Sequence, residues 1–163
     1  FSIMKKILSI VLMGVLLALV SCGDDDNGTQ NSDDILGAWK LQSMDIGSLS
    51  ATDPDIEEIA EDAFTDLSKE FYFGDIVEFY DDGTVSFHGE DMDYKIRKNT
   101  ITMEDYYGNE LVFSYSVTGS RLILTIDMRK MIIEEMTGEL DKEEMNYLKE
   151  TLKEFTIDFM YKK

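Results

Sequence analysis

The sequence predicts a mainly β fold, an eight-stranded antiparallel barrel over residues 35–163, with helical insertions at about 53–72, after the first strand, and 128–154, before the last. Three observations predict it. Apolar and polar residues alternate in eight short runs, the period of a strand with one buried face. Turn-forming residues separate six consecutive runs at hairpin spacing. The first and last runs lie far apart in sequence, and they pair most naturally if the sheet curls until its edges meet.

Residues 1–21 read as a targeting segment rather than as part of the barrel. Lys5 and Lys6 follow Met4 as a positive n-region, and Ile7 to Val20 is an apolar run of 14 residues, too short to span a bilayer comfortably. Phe1 to Ile3 precede that methionine and are read as an over-extended reading frame. Leu19-Val20-Ser21-Cys22 resembles a bacterial lipobox. The resemblance implies cleavage before Cys22 and diacylglycerol on its sulfur, and acyl chains contribute about 0.8 kcal/mol per buried CH₂. Cys22 is the only cysteine, so once lipidated it leaves none for disulfides, thiolate chemistry or a cysteine metal site.

Residues 22–34 contain no apolar side chain after Cys22 and read as a lipidated acidic tether. Asp24-Asp25-Asp26, close behind the cysteine, resembles the acidic export signal of surface lipoproteins in Bacteroidetes-type bacteria. That likeness implies attachment to the outer membrane and exposure at the cell surface. The mature part carries 13 basic and 34 acidic residues, a formal charge of 13 − 34 = −21. Such a charge repels nucleic acid and anionic head groups. The acids are spread along the chain, so they read as a solvated face rather than a site.

The strands follow in order. Trp39 and Leu41 mark the first, Val77 and Phe79 the second, Val85 and Phe87 the third, and Met92, Tyr94 and Ile96 the fourth. Ile101 and Met103 mark the fifth, Leu111, Phe113, Tyr115 and Val117 the sixth, and Leu122, Leu124 and Ile126 the seventh. Phe155, Ile157, Phe159 and Tyr161 close the series. Turns are expected at Asp81-Asp82-Gly83, Lys98-Asn99, Tyr107-Gly108-Asn109 and Thr118-Gly119-Ser120. In the first insertion Asp53 offers an N-cap, with Pro54 at the first helical position. Ile56, Ile59, Ala60, Ala63, Phe64, Leu67 and Phe71 then recur at helical spacing. The second insertion breaks at Gly138, and Asp141 with Glu144 forms a capping box for its second half.

Leu36-Gly37-Ala38-Trp39-Lys40-Leu41 resembles the Gly-x-Trp opening of lipocalins. Glu78-Phe79-Tyr80-Asp81-Asp82-Gly83-Thr84-Val85, followed by Tyr94-Lys95-Ile96, is similar to the lipocalin-like domain of small bacterial lipoproteins. The likeness covers roughly Leu36 to Asp127. It implies a barrel with a lid in the first insertion and an arginine packed over the tryptophan. Arg121 and Arg129 are the late candidates for that arginine, and the late Thr-Asp-Tyr motif is missing.

Trp39 is the residue expected to close one end of the barrel. Phe79, Phe87, Tyr94, Phe113, Tyr115, Phe155 and Phe159 share the alternating face and are the candidate ligand-lining residues; a packed core shows the same alternation. Met128, Met131, Met136 and Met145 suit a lid that repacks on apolar ligands, or helices that merely cover the barrel. His88 is the lone histidine, reads as an exposed strand residue, and makes a zinc site improbable. Acid pairs such as Glu90/Asp91 and Glu104/Asp105 are inevitable at this composition, and no nucleophile–base arrangement or phosphate loop stands out. The expected function is thus non-catalytic, with no metal or cofactor: a membrane-anchored barrel binding a small apolar or amphipathic ligand. The rival expectation is an envelope interaction module with a solid core, contacting another protein.

Overall fold

The computed structural model describes residues 32–87, 89–138 and 140–163. Eight strands, each antiparallel to its neighbours, form a closed barrel in sequence order. They are β1 (Gly37–Ala51), β2 (Ile76–Phe79), β3 (Thr84–Phe87), β4 (Glu90–Arg97), β5 (Thr100–Glu104), β6 (Glu110–Thr118), β7 (Arg121–Asp127) and β8 (Leu152–Lys162). Helix α1 (Pro54–Ser68) follows β1, and α2 (Met128–Glu135) and α3 (Lys142–Thr151) precede β8. The expected fold class is therefore the observed one. Cys22, most of the tether and His88 lie outside the described residues.

By contact the chain divides into two compact units. The first holds residues 32–44, Tyr72–Ile126 and Asp158–Lys163. Its pairing keeps the apolar face in phase from strand to strand. Trp39 stands opposite Val77, Val77 opposite Phe87, and Phe79 opposite Val85. Val85 then faces Met92, Tyr94 faces Met103, Ile101 faces Phe113, and Tyr115 faces Leu124. Lys163 donates its backbone N–H to Ser120 (3.0 Å), and the Thr125 hydroxyl donates to Asp158 (2.6 Å). Both bonds belong to one register, which sets Leu122 opposite Tyr161 and Leu124 opposite Phe159.

Strand direction alternates, so the 72–75 turn, the β3–β4 turn and the 105–109 loop share one end of this meander. The start of β1 and the turns at 80–83, 98–99 and 119–120 share the other. A 3-10 turn, Ser32–Ile35, occupies the last residues of the stretch expected to be tether. Ile35 inside it is fully buried, which explains why the chain is already ordered there.

The second unit holds Asp45–Phe71 and Asp127–Ile157. Asp53 caps α1 by accepting from the Asp55 N–H at 3.0 Å, and α1 buries Ile56, Ala60 and Ala63. The capping box of α3 forms as expected: Asp141 accepts from the Glu143 and Glu144 N–H groups, and Glu144 reaches back to the Asp141 N–H at 3.1 Å. The Tyr147 hydroxyl donates to the Asp53 carboxylate, tying α3 to the cap of α1.

Three boundaries differ from expectation. Helix α1 stops at Ser68 rather than running to about 72, because the 72–75 turn must hand the chain to β2. Gly74, at φ +104°, donates to the Leu41 carbonyl there, and Leu41 donates to Asp75. The second insertion ends at Thr151 rather than 154. Thr52 donates to the Thr151 carbonyl and Arg129 takes the Leu152 carbonyl, which turns Leu152 into extended backbone. Finally, β1 is 15 residues long, far longer than its apolar signal, and its buried phase shifts between Leu41 and Met44. One extra residue, as in a bulge, produces such a shift.

Candidate functional site

The inner face of the first unit is built almost wholly of bulky apolar side chains. Val77, Phe79, Val85, Ile101, Met103, Leu122 and Leu124 are buried. Phe87 meets Phe113 at 5.8 Å between ring centroids, and Phe113 meets Phe159 edge to face at 6.2 Å. Phe79 meets Tyr94 edge to face at 5.2 Å. Six of the expected lining residues, Phe79, Phe87, Tyr94, Phe113, Tyr115 and Phe159, thus share one face. Phe155 is also buried but belongs to the second unit.

Strand β4 departs from this pattern. Met92 faces buried Val85 and Tyr94 faces buried Met103, so both point to the interior, as does Ile96. Yet all three remain half-buried, and β4 contributes no fully buried side chain. The Tyr94 hydroxyl donates to the Tyr80 carbonyl at 2.9 Å. Burial, reinforced by the carboxylates of Asp82 and Asp81, holds the Tyr94 phenol above its usual range. The apolar inner wall is therefore reachable by solvent along β4 and sealed along β3 and β5.

Trp39 is completely buried beside the 3-10 turn, and its indole N–H donates to the Ile35 carbonyl at 2.6 Å. The cation over its ring is Lys163, 4.4 Å from the centroid. Neither arginine candidate has that place. Arg121 opens β7 as an exposed residue. Arg129 donates to the Leu152 carbonyl (2.6 Å) and the Lys149 carbonyl (3.1 Å), where its charge complements the C-terminal end of α3. Sequence reasoning missed Lys163 because its partnership exists only after the sheet closes.

Two polar atoms stand out in the apolar interior. The hydroxyls of Tyr115 and Tyr161 are buried with no hydrogen-bond partner, and the residues are 5% and 1% exposed. Burial pushes both phenols up, with smaller contributions from Asp34 at Tyr115 and Asp75 at Tyr161. Both therefore stay protonated and serve as donors rather than bases. Tyr161 lay in the last alternating run and was legible as an inner residue, although its hydroxyl gave no signal.

The Glu104/Asp105 pair has local duties. Asp105 accepts from the Tyr107 and Asn109 N–H groups and from the Asn109 amide, all at 2.7–2.8 Å, and these bonds, the Asn109 side chain first, hold its carboxyl below the usual range. Glu104 lies 3.6 Å from Lys95. Glu90 and Asp91 are adjacent on β4 and so point to opposite faces. Among the described residues no three His, Cys, Asp or Glu side chains converge as a metal ion would need. The turn that Asp105 organises displays Tyr106 and Tyr107, 94% and 84% exposed, and the turn before β2 displays Tyr72 and Phe73 at the same end of the meander. The outer positions of α1 are acidic instead: Asp55, Glu57, Glu58, Glu61 and Asp62 are exposed.

The chain matches no protein family's sequence pattern, no curated protein and no solved structure.

Proposed function

We propose that the protein is a lipocalin-like binding protein of the cell envelope, tethered to the outer membrane and exposed at the surface through lipid on Cys22. It carries a small apolar or amphipathic molecule without catalysis. The observation that supports binding is the inner wall at β4, where Met92, Tyr94 and Ile96 present apolar surface to the interior and remain accessible. A barrel closed on its own side chains all round would bury that strand as it buries its neighbours. The aromatic interior behind it suits a small apolar guest.

Native mass spectrometry on the protein recovered gently from its own envelope tests this. A reproducible extra mass that leaves on denaturation is expected; a bare protein mass in every preparation would sink the proposal. Anchoring is tested separately by Cys22→Ser, which should release the protein from the membrane fraction.

The second reading is an envelope interaction module with a solid core. The exposed Tyr72, Phe73, Tyr106 and Tyr107 favour it, since aromatic side chains concentrate in protein interfaces. The acidic exterior of α1 counts against docking through that helix.

A further inference from the structure

The unpartnered phenols of Tyr115 and Tyr161 say what kind of guest the interior is made for. A buried hydroxyl without a partner is destabilising, and apolar surroundings of this size are filled equally well by phenylalanine. The register places both residues on the inner face, two strands apart and one inward position out of step, with β7 between them. Tyr115 faces Leu124 across the β6–β7 pair, Tyr161 lies beside Leu122 on the next strand, and Leu122 and Leu124 are successive inward residues of β7. The two residues thus belong to adjoining layers of one wall, and each carries an unpartnered hydroxyl into an otherwise apolar interior.

We infer that Tyr115 and Tyr161 together bind the polar end of an uncharged amphipathic ligand, an alcohol or carbonyl oxygen, whose apolar tail lies against the aromatic wall. The guest is uncharged for two reasons. Charges entering an apolar interior lose their hydration. The carboxylates that act on these phenols, Asp34 and Asp75, also repel an anionic head. Both phenols donate, so the oxygen they hold must accept. This inference rests on the reading of the barrel as a binding site.

The test uses the full chain carrying Cys22→Ser, free of detergent, with the neutral apolar dye N-phenyl-1-naphthylamine displaced by 1-decanol or by decanoate. Decanol is expected to displace the dye at roughly tenfold lower concentration than decanoate. The double variant Tyr115→Phe/Tyr161→Phe should weaken decanol about tenfold relative to the dye bound by the same protein, the worth of one to two net hydrogen bonds. Without ligand, the same variant should melt at a higher temperature, because two unpaired hydroxyls are gone. Equal decanol affinity in both proteins would overturn the inference and leave the binding reading intact. Absence of dye binding in either protein would remove the binding reading and the inference with it. A lower melting temperature for the empty variant would also overturn it, since the hydroxyls would then be bonded already without a guest.

Discussion

The two compact units are held by different chemistry. In the meander unit nearly every stabilising contact is apolar and inward, from Val77 and Phe79 through Ile101 and Met103 to Phe159 and Tyr161. Several of its polar bonds sit in turns, as at Asp82 with Thr84 and Asp105 with Asn109, and others link strands, as Thr125 with Asp158. The helical unit buries apolar groups too, from Ala60 and Ala63 to Phe155 and Ile157, but its elements are also fixed at their ends. Asp53 and Asp141 cap helices, Tyr147 reaches Asp53, and Arg129 holds the carbonyls that close α3. A sheet unit of this kind is specified by which residues face inward. A short-helix unit is specified by where each helix begins and stops.

The sharpest way to break that contrast is Trp39→Ala. Removing the largest fully buried side chain should cost about 3–5 kcal/mol. The loss would be read as a fall in the urea midpoint, with faster hydrogen exchange across β2 to β7. Slow exchange retained in those strands would show that the apolar interior is not what holds them. Arg129→Ala should cost less, about 1.5–3 kcal/mol, the range for hydrogen bonds to a charged group. Its signature is faster exchange in the last turn of α3, with β3 to β6 unchanged. An effect confined to net charge, reproduced by Arg129→Gln at every amide, would contradict the capping role.

A smaller effect appears on the alkaline side. The Tyr161 phenol is raised in the folded protein above its ordinary value of 10.0, mainly by burial. Below pH 10 both folded and unfolded chains hold the proton, so the full stability is present. Above it the unfolded chain loses the proton first, and stability falls by about 1.4 kcal/mol per pH unit until the folded phenol also titrates. Tyr161→Phe should flatten that limb between pH 10 and 11. An alkaline limb unchanged in the variant would place the sensitivity at another tyrosine.

The features legible in the sequence are those written locally. Each of the eight runs became a strand because alternation and turn residues coincide within a dozen positions, and Asp53-Pro54 and Asp141 with Glu144 marked helix starts by chemistry confined to one turn. What escaped was set by closure. Lys163 over Trp39 joins residues from opposite ends of the barrel domain, and no local pattern distinguishes it from Lys162. The full span of β1 was hidden because Gly47, Ser48 and Ser50 carry no apolar alternation and the phase shifts before them. The half-buried inner face of β4 was equally invisible, since Met92, Tyr94 and Ile96 alternate just as their buried neighbours do. Alternation reports which way a side chain points; it does not report how tightly the opposite wall approaches.

The parity of the meander also gives the molecule a direction. The described chain enters at the Ser32–Ile35 turn, beside Trp39 and Lys163, while Tyr106, Tyr107, Tyr72 and Phe73 crown the opposite end. The four aromatic side chains and the entry of the described chain therefore stand at opposite ends of the meander unit.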